Sequence, residues 1–152
     1  MKLTQSPERQ QTPERQQEIQ EKYAHLKMIV NQAAQLQEQQ RFIDTRVFEL
    51  EDLNNNLDSL KKWEKGKEIL APLGANTFIR AELKDNKGVI VDMGAKVMLD
   101  KDIEGAKQFN NSQFTELRDA SIAIRGEILK LSSQQEKISE ELRRLVAKRE
   151  TH

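Results

Sequence analysis

The sequence is poor in several residue types on which other classes of protein depend. It has no cysteine, which excludes a disulfide framework, thiolate metal sites and cysteine nucleophiles. Aromatic residues make up only 5% of the chain, and 36% hydrophobic residues is lean for a compact core. The 25 basic and 25 acidic residues cancel, so no overall field draws the chain to nucleic acid or to an anionic membrane. Because no apolar run approaches the ~18 residues of a membrane span and no signal-peptide pattern opens the chain, we expect a soluble, cytoplasmic protein.

What the chain has in abundance is helix-forming residues with a heptad period. Between residues 14 and 65 there is no glycine or proline, and apolar residues recur at steps that alternate between three and four. Gly66 then predicts the end of this helix. The predicted seam positions are Ile19, Lys22, Leu26, Ile29, Ala33, Leu36, Gln40, Ile43, Val47, Leu50, Asn54, Leu57 and Lys61.

A near-repeat, SPERQQ followed by TPERQQ, precedes the heptads. Each copy has a hydroxyl residue, then proline, then glutamate, which is the pattern of a helix N-terminus. The second copy runs into the heptads, so we predict a helix over residues 13–66 and a flexible tail over residues 1–12.

The period changes to two between Glu68 and Asp100, which predicts two β-hairpins. We expect strands over residues 68–72, 76–83, 89–93 and 96–99, separated by Gly74, by the turn sequence DNKG and by Gly94. Alternation places one set of side chains on a common face, namely Ile69, Ala71, Leu73, Ile79, Ala81, Leu83, Val89, Val91, Met93, Val97 and Leu99. Short hairpins with an apolar face are marginal alone, so this region needs something to cover it.

A second heptad pattern follows and predicts a helix over residues 101–150, capped by Asp100 or Asp102. Its seam positions are Ile103, Lys107, Asn110, Phe114, Leu117, Ser121, Ile124, Ile128, Leu131, Gln135, Ile138, Leu142, Leu145 and Arg149. Two helices of matched length around a compact insert predict an antiparallel coiled coil, hence a mainly α, α+β fold in a single domain over residues 13–152. If Lys61 lies near Ile103, Asn54 faces Asn110, and two facing amides can satisfy each other and disfavour slipped alignments.

The sequence gives little support for a catalytic site or a metal site. Glu21 and His25 are one turn apart, but only His152 is left as a second imidazole, so no metal site can be completed. GAK at residues 94–96 lacks the rest of a phosphate loop. The acidic run at residues 136–141 is interpreted as a solvated helix face, and the basic residues near 143–149 are too few to favour a nucleic-acid site. We therefore predict no enzyme, no cofactor and no metal.

The order helix, two hairpins, helix resembles the α-class subunit of prefoldin, of the archaeal type or its eukaryotic relatives. The resemblance spans about residues 14–150 and is most specific in EILAPLG, GVIVDMG and KVMLDKDIEGA. Two hairpins instead of one point to the α class and not the β class. In that family the hairpins of two α and four β subunits join into a platform, and the coiled-coil tips hold non-native polypeptide. The polypeptide is then passed to a group II chaperonin, and prefoldin itself uses no ATP.

The resemblance implies two sets of functional residues. Subunit assembly would use the hairpin residues Ile69, Leu70, Leu73, Phe78, Ile79, Leu83, Val89, Val91, Met93, Val97 and Leu99. Polypeptide binding at the tips would use Ile19, Tyr23, Leu26, Ile29, Val30, Ile138, Leu142, Leu145 and Val146. The alternative for each tip residue is an ordinary coiled-coil core position; Tyr23 and Val30 lie beside the seam, which favours contact with a partner. Another class of function stays open, namely a structural or adaptor coiled coil, or a prefoldin-like scaffold subunit without chaperone activity.

Overall fold

A computed structural model describes residues 12–148 and confirms the predicted fold class. Two long antiparallel helices pack together, with two β-hairpins between them. The helices are α1 (Pro13–Leu60) and α2 (Ile103–Ala147). The strands are β1 (Glu68–Gly74), β2 (Thr77–Glu82), β3 (Gly88–Asp92) and β4 (Met98–Asp102). The predicted flexible tail, apart from Thr12, and the seam position Arg149 lie outside the described residues.

The first helix begins where the second PERQQ copy predicts. The carbonyl of Thr12 accepts hydrogen bonds from the backbone N–H groups of Arg15 and Gln16, and Pro13 is the first helical residue. The helix ends at Leu60, six residues before the predicted boundary at Gly66. Residues 61–67 form turns instead, and the side-chain amide of Asn86 donates to the carbonyls of Lys61 and Trp63, each at 3.0 Å. The Asn86 side chain, from the loop between the hairpins, thus provides the hydrogen-bond donor for backbone carbonyls just after the end of α1.

The second helix begins at Ile103, and Asp102 is its cap. The Asp102 carboxylate accepts a hydrogen bond from the backbone N–H of Gly105 at 2.8 Å. Asp100 stays within β4, which runs to Asp102 instead of ending at residue 99. The strand starts later than predicted because Ala95 and Lys96 form the hairpin turn, with φ of 50° and 64°.

The predicted heptad seams are the faces along which the helices pack. Every seam position of α1 from Ile19 to Leu57 is buried or half-buried, and Lys61, which falls beyond the end of the helix, is exposed. In α2 the same holds from Ile103 to Leu145, except at Gln135. Steps of three and four keep one face of a helix toward its partner, so the period alone identifies the packed face.

The predicted alignment of the two helices is confirmed by a pair of amides. The Asn110 amide donates to the side-chain oxygen of Asn54 at 2.8 Å and to the carbonyl of Leu50 at 2.9 Å. Asn110 is only 2% exposed, so these bonds replace the water that its side chain loses. The Asn54 amide donates in turn to Asn111 at 2.9 Å, which completes a short polar network.

Contacts divide the chain into two compact units, each with its own core. The terminal unit consists of the described parts of Met1–Gln40 and Ala123–His152. Its buried residues are Ile29, Leu131, Ile138 and Leu142, against which Ile19, Leu26, Ala33 and Leu36 pack. The central unit, Arg41–Ile122, contains both hairpins. Its core is Leu57, Ile103 and Ala106, with Leu60, Val89 and Val91 packed against them.

The two hairpins are separate antiparallel sheets of two strands that share one type of turn. β1 pairs with β2, and β3 pairs with β4. The turns GAN and GAK each place two non-glycine residues at positive φ, as the two-residue turns that match strand twist require. Gly88 is needed for a different reason: a Cβ there would lie 2.7 Å from the carbonyl oxygen of Lys101 on the paired strand.

Candidate functional site

The hairpins present an apolar face that is only partly covered. Strand register puts Ile69 opposite Ala81 and Ala71 opposite Ile79, as the period of two predicts. In the second hairpin Val89 and Val91 pack into the core of the central unit, so part of the predicted face is used within the chain. Several of the predicted assembly residues remain exposed, namely Leu73, Ile79, Met93, Val97 and Leu99. This face therefore has apolar surface available to another chain.

The opposite face of each hairpin is mixed, with exposed apolar side chains among charged ones. Leu70 and Phe78, both predicted assembly residues, are exposed on β1 and β2. Ile90 on β3 and Met98 on β4 are 69% and 61% exposed, and the predicted assembly set omits both. The signals for them were the unbroken apolar runs at residues 89–91 and 97–99, because a strand that is apolar on both sides lacks alternation. Each sheet thus has exposed apolar side chains on both of its faces.

A groove of about 500 Å³ lies within the central unit. Its floor includes Leu57 and the seam amide of Asn110, and its rim carries the ion pair between Arg46 and Glu49, at 2.6 Å. Its apolar walls come from the helices and β3 and include Leu53, Ile90, Val91 and Phe109. The apolar surface of β3 therefore continues onto Leu53 of α1 and Phe109 of α2.

The terminal unit has its own open groove, of about 550 Å³, between the first turns of α1 and the last turns of α2. Its walls are Tyr23, Leu26, Ser139, Leu142, Arg143, Val146 and Ala147. Four of these are predicted tip residues, and they come together from both helices. Tyr23 and Val146 are exposed, whereas Leu142 is buried at the base of the groove. We call this surface the terminal groove.

The other predicted tip residues lie outside the walls of the terminal groove. Ile29 and Ile138 are buried between the helices, at 2% and 9% exposure. Ile19 and Leu145 are half-buried, and the carbonyl of Leu145 accepts a hydrogen bond from the Arg15 guanidinium. Val30 is exposed and follows Tyr23 by two helical turns. Of the predicted tip residues, Tyr23, Val30 and Val146 are thus exposed at the surface, whereas the buried ones pack between the two helices.

In each unit a close ion pair joins the two helices. In the terminal unit Lys22 donates to Glu141 at 2.6 Å, and this hydrogen bond lowers the pKa of the Glu141 carboxyl and raises the pKa of Lys22. In the central unit Lys107 donates to Asp58 at 2.6 Å, which lowers the pKa of Asp58 and raises that of Lys107. Both pairs are on the solvent side of the seam, so they contribute little to stability.

Two further features bear on the class of site. Within residues 12–148, no three side chains of histidine, cysteine, aspartate or glutamate come together as a metal site would require. The helices of the described region also lack a segment long and apolar enough to cross a membrane.

A pair of antiparallel helices with two β-hairpins between them defines a class of coiled-coil subunit, and comparison with known proteins identifies the class. The prefoldin subunit family matches residues 29–148. The prefoldin subunit alpha of Methanococcus vannielii is 33% identical over 131 residues, covering 86% of this chain and 87% of that subunit. The corresponding subunit of Methanococcus aeolicus is 35% identical over 127 residues, covering 82% and 86%.

A solved structure supports the fold. A chain in the cryo-EM structure of filamentous PFD from Methanocaldococcus jannaschii matches with a TM-score of 0.68 and 19% identity, covering 78% of this chain and 98% of that one. The chain belongs to the prefoldin family, and its relatives are alpha subunits of the archaeal type. Members of this family are non-enzymatic chaperones, so membership implies a chaperone role.

Proposed function

We propose that this chain is an α-class subunit of a hetero-hexameric chaperone that holds non-native polypeptide without using ATP. A second copy of the chain and four β-class subunits complete the assembly. The coiled-coil tips bind the polypeptide, which passes to a group II chaperonin in the cytoplasm. The proposal joins the family's chaperone role to two surfaces of this chain, the hairpins and the terminal groove.

The observation that carries the proposal is the exposed apolar surface of the hairpins. A sheet of two strands is marginally stable in water, and within the described residues each of these sheets has exactly two. Each strand has one unpaired edge, with backbone groups ready to pair with another strand. Leu70, Phe78, Ile90 and Met98 add apolar side chains that lose contact with water only if another chain covers them. Assembly through the hairpins would both pair the free strand edges and bury the exposed apolar side chains.

Polypeptide binding is supported by the terminal groove. The groove is open and shallow, and its exposed side chains, Tyr23 and Val146, make apolar contacts without demanding a particular sequence. Such a surface binds weakly. Several tips acting on one polypeptide would raise the overall affinity through effective concentration, without new contacts at any single tip.

Assembly is tested by measuring the mass of the chain mixed with a candidate β-class subunit. We expect a defined hexamer that the double variant Leu70→Lys and Phe78→Lys no longer forms, because charge on the hairpin face cannot be buried. Phe48→Lys is the matched control, since Phe48 is similarly exposed but lies on α1. A dimer that ignores the β-class subunit, or hexamers that form equally well with the double variant, would contradict the proposed assembly.

Holding activity is tested by suppression of the aggregation of a chemically denatured protein. We expect the double variant Tyr23→Ser and Val146→Ser to suppress aggregation several-fold less well while the hexamer stays intact. Met28→Ser is the control, because Met28 is as exposed as Tyr23, at 54%, but does not line the groove. Normal assembly without any holding activity would favour the alternative of an adaptor or scaffold subunit.

A further inference from the structure

In the described part of the chain, the terminal groove carries a charged side chain without an ion-pair partner. Of the described residues in its walls only Arg143 is charged, and Ser139 and the Tyr23 hydroxyl supply the other polar groups. Within residues 12–148, Arg143 has no ion pair. A guanidinium group at the rim of an apolar groove offers a planar set of donors that matches a carboxylate.

Within the described residues, the neighbouring acidic residues of α2 do not form an ion pair with Arg143. Glu141 is bonded to Lys22 at 2.6 Å, and Glu140, one turn before Arg143, is paired with Arg144 at 3.9 Å. Glu136 shares the helix face of Arg143, but it lies about 10 Å away along the axis, roughly one Debye length at moderate salt. The basic character of the rim therefore persists beside the apolar wall.

A second basic residue reinforces this charge from the other helix. Lys27 follows Tyr23 by one turn of α1 and precedes Val30 by three residues, so it lies on the same side of the helix as both. An extended segment lying along Tyr23 and Val146 thus has a positive charge on either side of it.

We infer that the terminal groove selects, among non-native segments, apolar stretches that carry an acidic residue next to their apolar side chains. This inference rests on the proposed function and specifies its substrate class. The apolar wall supplies affinity, and Arg143 adds attraction for a carboxylate and repulsion for a basic residue. Charges at a rim of this kind alter specificity more than total affinity.

The test compares two short fluorescent peptides that share a core of leucine and phenylalanine and differ only in their flanking residues, aspartate in one and lysine in the other. Binding to the assembled full-length chain is measured by fluorescence anisotropy. At low salt we expect the aspartate peptide to bind about threefold to tenfold more tightly. The ratio should shrink as ionic strength rises, because exposed charges are screened.

The decisive variant is Arg143→Glu, which should reverse the preference. Arg144→Glu is the matched control: it makes the same change in net charge on the adjacent residue, which lies outside the groove wall, and should leave the preference as it is. Equal binding of both peptides by the unmodified chain would overturn the charge selection and leave the proposed holding function standing. An identical response of the two variants would also overturn it, because the effect would then not arise in the groove. If neither peptide binds, the charge selection and the holding function of the groove both fail.

Discussion

The terminal and central units are built on the same heptad period, yet they use their seams differently. The buried residues of the terminal unit are all apolar, namely Ile29, Leu131, Ile138 and Leu142. The central unit buries two polar residues, Asn110 and Ser121, and both are hydrogen bonded to the facing helix. The difference shows that one repeat can serve two purposes. Apolar layers add stability but allow several alignments, whereas buried amides cost stability and favour the one alignment that satisfies them.

The largest effect should come from the apolar seam of the terminal unit. Replacing Ile29, which is 2% exposed, by alanine should lower the free energy of unfolding by about 3 kcal/mol, because the change removes buried methylenes and leaves a cavity. The adjacent Met28→Ala, at an exposed position, should change it by less than about 0.5 kcal/mol. Urea denaturation of both variants measures the contrast. Similar losses in the two would mean that the buried face of α1 has been assigned wrongly.

The second prediction concerns alignment in the central unit. Asn110→Ala should cost about 2 kcal/mol, because it removes hydrogen bonds to the Leu50 carbonyl and to the half-buried side-chain oxygen of Asn54, which then lacks this donor. Leucine at both asparagine positions should restore stability but permit slipped alignments. Because the chain has no cysteine, Asp52→Cys and Ser112→Cys can carry spin labels for distance measurement. A single sharp distance in the double-leucine variant would show that the amides do not determine the alignment.

A third and smaller effect should stay within the central unit. Asn86→Ala removes the donor to the carbonyls of Lys61 and Trp63 and should cost about 1 kcal/mol. Hydrogen exchange should accelerate in residues 61–67 and 83–86, because the Gly66 and Leu83 amides bond across the same two segments. Amides of the terminal unit serve as the internal control. Equal acceleration in both units would contradict a local role for Asn86.

The smallest effect should come from the two exposed ion pairs, one in each unit. The pKa values of Glu141 and Asp58 are lowered in the folded chain. Their contribution to the free energy of unfolding is therefore complete above their unfolded pKa values, about 4, and is lost as the pH falls through the lowered pKa values. The pKa values of Lys22 and Lys107 are raised in the folded chain. Their contribution to the free energy of unfolding is therefore complete below the unfolded lysine pKa, about 10.4, and is lost as the pH rises through the raised pKa values. The contribution of these two pairs to the melting temperature should therefore be constant between these limits. Thermal melting of Lys22→Met and Lys107→Met, compared with the unmodified chain as a function of pH, should show a small difference that shrinks at acid pH, and a difference that changes near neutral pH would contradict this account.

Much of the fold follows from residue order. The heptad positions predicted the packed faces of both helices, because the period is a local property. The matching of Asn54 with Asn110 predicted their alignment, because each predicted seam has asparagine at only one position. The predictions failed at boundaries. Lys96 was predicted in a strand, because non-glycine residues at positive φ, such as Ala95 and Lys96, are not evident from residue type. Residues 61–66 were predicted in a helix, because the hydrogen bond from Asn86 to the Lys61 carbonyl comes from a residue distant in sequence.

The candidate sites were predictable to a lesser degree. A position beside the seam singled out Tyr23 and Val30 as contact residues; both are exposed, and Tyr23 lines the terminal groove whereas Val30 does not. The sequence did not separate Val146, which also lines the groove, from Ile29 or Ile138, because all three residues are apolar and near the same ends of the chain. Exposure of Ile90 and Met98 was missed, since a strand that is apolar on both faces gives no period by which to choose one.

The amino-acid order alone determined that this protein is a pair of heptad helices interrupted by two hairpins, because hydrophobic periodicity is written residue by residue. Only the tertiary structure decided how deeply each seam side chain is buried and which apolar side chains beside the seam stay exposed. Burial is a property of two helices in one alignment, and a single helix in isolation exposes both sets equally.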